Sequence, residues 1–90
     1  MIYRILTENK NRQGIENILN RRFSGYTIIE STGYWETKRE NSLIVEIDSL
    51  DQHESTVRIS VYSTAREIKN YNGQESVLVQ EITSHSKLVS

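Results

Sequence analysis

Apolar residues in this chain recur with two different periods, and the switches between them lay out the elements. Residues 1–7, MIYRILT, are a run of β-formers that reads as a first strand. Residues 9–12 are polar and turn-like, and either Asn9 or Asn11 offers a side-chain oxygen to cap a following helix. Ile15, Ile18, Leu19 and Phe23 then fall at i, i+3, i+4 and i+8, the spacing of one helix face. Glu16, Asn17, Arg21 and Arg22 take the other face. Gly25 is placed to stop this helix with a left-handed residue. A second strand starts at Tyr26 and runs to about Trp35, with Gly33 marking a kink or bulge.

A third strand, residues 42–47, points Leu43, Val45 and Ile47 to one side and Ile44 and Glu46 to the other. The connection at 36–41 is charged and too long for a two-residue turn. Residues 25–47 thus form a long β-hairpin around which the rest can be packed. Residues 48–55 are a loop in which Asp51, three residues before Glu54, marks a helix start. The stretch 56–72 carries two patterns. Val57, Ile59 and Val61 alternate as in a strand, whereas Val57, Val61, Ala65 and Ile68 keep helical spacing. The alternation covers only the first half and the helical spacing covers the whole, so the expectation is a helix. Asn72-Gly73 stops it, and residues 75–82, ESVLVQEI, supply a last strand.

The order β-α-β-β-α-β, with right-handed crossovers, predicts an α+β, ferredoxin-like domain: a four-stranded antiparallel sheet with two helices on one face. It occupies residues 1–83 and leaves 84–90 as a polar C-terminal tail. The first and last strands are apolar on both faces. Ile2 and Leu6 oppose Tyr3 and Ile5, and Val77 and Val79 oppose Leu78 and Ile82. Helices cover only one of those faces. The other is expected to meet another chain, a ligand or solvent at a cost, which predicts a dimer or higher homo-oligomer.

Composition narrows this further. Of the 90 residues, 36% are hydrophobic, below the roughly 45–50% of soluble domains. A core that thin favours burial against a partner chain. Eleven basic and twelve acidic residues leave a net charge of −1, unlike the clustered basic charge of nucleic-acid binders, so nucleic acid is disfavoured as a partner. No cysteine is present, which excludes disulfides and thiolate metal sites. No apolar run reaches the roughly 20 residues of a membrane helix and no secretory leader precedes the first strand. A cytoplasmic protein with no membrane partner is the expectation.

Several short motifs stand in order along the chain. They are Phe-x-Gly at Phe23-Ser24-Gly25, Gly-x-Trp at Gly33-Tyr34-Trp35, Glu-x-Ser-Leu at Glu40-Asn41-Ser42-Leu43, and Gln-Glu-Ser-Val-Leu at 74–78. Through them the chain resembles, over residues 15–82, a family of small bacterial and phage-encoded proteins of unknown function. The resemblance implies a ferredoxin-like domain and a helix over 56–72. It carries over no catalytic residue, and residues 57–62 are more strand-like than that pattern.

Catalytic signals are weak. Glu30, Glu40 and Glu46 are the carboxylates nearest the hairpin, yet charged residues on the wet side of a strand need no catalytic reason. His53 and His85 have no second ligand at metal spacing, no serine sits in a nucleophile elbow, and the four glycines are scattered. No cofactor is expected. The one cluster with a specific rationale is Tyr34, Trp35, Lys38 and Arg39, where an aromatic face stacks a planar base and cations pair with phosphate. Trp35 shares strand parity with Ile29, so burial or a subunit interface explains it as well as ligand contact does. Three functions follow. One is a non-catalytic, oligomeric protein holding a nucleotide-like ligand, which in a phage setting would sequester a signalling nucleotide. The second is an interaction module that inhibits a host protein through its sheet face or edge. The third, a small enzyme using the hairpin carboxylates, is the one the missing motifs weigh against.

Overall fold

A computed structural model describes residues 1–50, 52–84 and 87–89, with Trp35 as backbone alone. The described residues form β1 (Ile2–Glu8), α1 (Arg12–Arg22), β2 (Thr27–Trp35), β3 (Lys38–Asp48), α2 (Glu54–Asn72) and β4 (Leu78–Ile82). The strands make one antiparallel sheet in the order β2-β3-β1-β4. This is the expected ferredoxin-like α+β arrangement.

Register decides what is buried, because directly opposed residues share a face. Tyr3, Ile5 and Thr7 oppose Ile47, Val45 and Leu43, and all six are buried. They pack with Ile15, Ile18 and Leu19 of α1 and with Val57, Val61, Ala65 and Ile68 of α2 in one core. Both helices therefore lie on the same side of the sheet. Each fully buried aliphatic side chain contributes about 1.5–3 kcal/mol relative to exposure. Thr64, also buried, donates its hydroxyl to the Ser60 carbonyl at 2.6 Å, so the core takes in no unpaired group there. The helices are tied across their exposed side by Glu67, which accepts from Arg21 at 2.7 Å and from Arg22 at 2.6 Å.

The strand-like alternation over 57–61 is resolved in favour of the helix. Val57 and Val61 are buried while Ile59 is 70% exposed, so only the helical subset reaches the core. Gly73 ends α2 with φ 65, the left-handed conformation that glycine adopts without strain. Asp51, the expected first half of a start signal, lies outside the described residues; α2 begins at Glu54 after His53. Four other expectations are corrected. Helix α1 ends at Phe23, in extended backbone with its N–H on the Leu19 carbonyl, and Gly25 has no positive φ. Asn11 occupies the N-cap position, but with φ 57 and without a side-chain cap, its amide being drawn to Asn72 instead. Gly33 causes no bulge, since β2 and β3 pair without interruption from Thr27↔Glu46 to Trp35↔Lys38. Strand β4 is shorter than residues 75–82, starting at Leu78.

Candidate functional site

The hairpin is longer and more tightly closed than its composition implies. Strand β3 begins at Lys38, and only Glu36 and Thr37 join it to β2. Their φ values, 49 and 66, have the signs of a type I′ turn, whose twist matches that of the flanking strands. Asn and Gly normally fill such positions because left-handed backbone strains other residues, β-branched Thr above all. The 36–41 connection, expected from its length and charge to exceed a two-residue turn, is instead mostly strand.

Alternation then splits the predicted cluster. Tyr34 opposes Arg39, on the side of the sheet that carries the helices. Trp35 opposes Lys38, at positions belonging to the other side, and the Trp35 side chain lies outside the described residues. Tyr34 and Arg39 are thus brought together, and Lys38 is turned away from them. Tyr34 is 70% exposed. Among the described residues neither Lys38 nor Arg39 takes part in an ion pair, while Arg4, Arg12, Arg21, Arg22 and Arg58 all do.

Below Arg39, toward the body of the domain, lies a polar hollow of about 310 Å3 lined by Asn9, Glu30, Ser31, Thr32, Arg39 and Asn41. Its floor is fixed by the Asn9 N–H, which donates to the Asn41 carbonyl at 3.1 Å. Its wall is fixed by Arg12, which pairs with Glu30 at 2.8 Å and with Glu16 at 3.1 Å. Thr32 and Asn41 oppose one another and sit two residues from Tyr34 and Arg39, on the same face. Period-two reasoning from Arg39 finds these two, given the register. Asn9 follows a different strand, and no local pattern points to it. The arrangement offers the Arg39 guanidinium, two amides and the Thr32 hydroxyl to a small polar ligand, beside the Arg12-paired Glu30 carboxylate and with the Tyr34 ring on the same face; the Ser31 hydroxyl is bonded to Ser42 on the other face. A second hollow of about 240 Å3, between α2 and β4, has a mainly apolar lining of Ala65, Val77 and Val79 with Arg66 and Lys69 beside it.

The carboxylates weighed for acid–base work do not converge. Glu30 lies on the helix side and is paired with Arg12. Glu40 and Glu46 lie on the opposite side, and Glu46 is held by Arg4 at 2.7 Å. Six residues of strand separate those two by about 20 Å. His53 shares a hydrogen bond with Ser55 at 2.8 Å and is exposed, and His85 lies outside the described residues. Among the described residues no group of His, Cys, Asp or Glu is placed to hold a metal ion. Among the described residues no helix is long and apolar enough to cross a membrane.

The strongest electrostatic perturbations are at the other end of the sheet, where α2 meets β1 and β4. Buried Tyr3 donates to Glu54 at 2.7 Å, and its pKa is pushed up to about 12 by burial and then by that carboxylate. Glu54 is held below the ordinary carboxylate range by the Ser49 hydroxyl and then by Tyr3. Glu81 is lowered by Tyr62 and Arg58, and Glu67 by Arg22 and Arg21. A carboxylate depressed in the folded state contributes stability above its unfolded pKa, about 4.3 for Glu, and loses it as pH falls through the folded value. Acidification from pH 5 to pH 2.5 is therefore expected to lower the thermal midpoint steadily. Tyr3 has the opposite sign, its contribution being lost as pH rises through about 12. A midpoint flat between pH 5 and pH 2.5 would count against these pairings. The Glu54 and Glu81 pairings tie α2 to the strands and the loop before it, and the Glu67 pairings tie α2 to α1, so their role is structural.

The chain matches no protein-family model and no curated protein.

Proposed function

We propose that the protein is a non-catalytic, homo-oligomeric binding protein that holds a small anionic, nucleotide-like ligand at the distal half of the β2–β3 hairpin. The observation that carries this reading is Arg39. It is a guanidinium without a carboxylate partner among the described residues, at the rim of a polar hollow and opposite an exposed tyrosine. Arginine's planar fork matches phosphate in a bidentate pair, and a tyrosine ring stacks on a base. Asn9, Thr32 and Asn41 supply the neutral hydrogen bonds that fix orientation in small-molecule sites. In a phage setting such a protein sequesters a signalling nucleotide, in keeping with the resemblance of its motifs.

A thermal-shift and calorimetric screen against mono-, di- and cyclic dinucleotides tests the reading directly. For the nucleotide that raises the midpoint, Arg39→Ala is expected to cost about 1.5–3 kcal/mol of affinity, the range for hydrogen bonds to charged groups. The same substitution should change folding stability by less than about 0.5 kcal/mol, because the side chain is exposed. A screen in which no nucleotide shifts the midpoint, or a bound nucleotide indifferent to Arg39→Ala, overturns the assignment.

A further inference from the structure

The face of the sheet away from the helices carries an apolar row that crosses all four strands. Ile29 opposes Ile44, Ile44 opposes Leu6, and Leu6 opposes Leu78, so one aliphatic residue from each strand lies in direct register. Ile29 is 41% and Leu78 55% exposed, and no element among the described residues covers them. We propose that this face is the interface of a two-fold dimer, its occupant a second copy of the same chain. The inference deepens the homo-oligomeric part of the reading above and needs no ligand.

The rows on either side favour a second copy over an unrelated partner. A two-fold axis laid along the apolar row places that row on itself, since an isologous contact pairs i with j and j with i. It also exchanges the flanks. In β1, Arg4 and Glu8 lie two residues to either side of Leu6 on this face, so Arg4 of each copy meets the partner's Glu8. Glu8 is exposed and has no ion pair among the described residues, while Arg4 is already held by Glu46. In β2 and β3 the exchange sets Thr27 against the partner's Ser31 and Glu46 against the partner's Ser42. These contacts join polar groups without opposing like charges. Farther out, Glu40 and Asp48 are equidistant from the axis in β3. There the roughly 30° between packed sheets opens a lateral offset of about 7 Å at four residues from the axis, against half that at Arg4.

Light scattering and sedimentation of the full chain, without any nucleotide, test the proposal. The expected mass is twice the 10.5 kDa of one chain. Ile44→Lys should raise the dimer dissociation constant by about 30-fold or more, as for a central interface residue, and Leu78→Lys, at the end of the row, by about 10-fold. Leu78 is an exposed edge position, so that variant should keep a native circular dichroism spectrum even if Ile44→Lys does not fold. Glu8→Arg, which sets like charges against Arg4, should weaken the dimer, and Glu8→Gln should weaken it less. A wild-type chain that stays monomeric at 100 micromolar or so, leaving the face to another protein, overturns the proposal. So does a dimer untouched by Leu78→Lys and Glu8→Arg, which would lie on another surface. Either result leaves the nucleotide screen to be judged by itself.

Discussion

Ala65→Pro is expected to destabilise the domain by about 3 kcal/mol or more, a large share of the roughly 5–15 kcal/mol that holds a domain of this size folded. Residue 65 is near the middle of α2, with buried Val57, Val61 and Thr64 before it and buried Ile68 and Asn72 after it. Proline there removes the N–H that bonds to the carbonyl of Val61 and sets its ring against that carbonyl. The resulting kink divides the helix between two halves that must both reach the sheet. Ala65→Gly separates backbone from packing: it retains the N–H and should cost about 1 kcal/mol in propensity, plus one buried methyl. Urea denaturation followed by circular dichroism checks both, and comparable midpoints for the two variants would contradict the backbone account. The experiment also bears on how residues 56–62 fold. A strand paired at a sheet edge tolerates proline wherever its N–H faces water, and a helix interior does not.

That segment illustrates what was legible in the residues. The element order, the buried faces of β3 and α1, and the helix over 57–68 all follow from period and length, because hydrophobic burial acts on periodicity; β1, apolar on both faces, leaves its buried face open until the register is known. Ile59 made the strand reading plausible, and only the position of the sheet shows that it faces water. The hairpin was the opposite case. Its turn uses Glu36 and Thr37, neither of which favours left-handed backbone, so composition pointed to a long loop. With the turn length missed, the register was missed too. A one-residue change of register moves every side chain to the other face. Tyr34, Trp35, Lys38 and Arg39 therefore read as one cluster in sequence and separate into two opposed pairs in the fold. Glu30 parts from Glu40 and Glu46 for the same reason. The rest of the hollow depends on Asn9, which reaches the hairpin only through the pairing of β1 with β3.

Buried polar residues were the least legible, and Asn72 shows why. In sequence Asn72-Gly73 is a helix stop; in the fold Asn72 is 2% exposed and joins segments more than sixty residues apart. Its Oδ1 accepts from the Asn11 amide at 3.0 Å, and its Nδ2 donates to Gln74 Oε1 at 3.1 Å. Its carbonyl accepts from Lys10 at 2.9 Å, while Gln74 Oε1 also accepts from buried Thr7 at 2.5 Å. One side chain thus fixes the entry to α1 and the exit from α2 against the end of β1. Asn72→Ala removes two side-chain hydrogen bonds and leaves the Asn11 amide without its acceptor, so about 2–4 kcal/mol of stability should be lost. The midpoint in urea should fall with the slope unchanged, since the folded state keeps its compactness. Thr7→Val removes the other donor to Gln74 and should cost about 1 kcal/mol alone. Because both variants act through Gln74, the double variant should lose less than the two separate losses combined. Strict additivity, or a loss under about 0.5 kcal/mol for Asn72→Ala, would mean that these four side chains are held independently and that the helix junction is fixed by backbone packing alone.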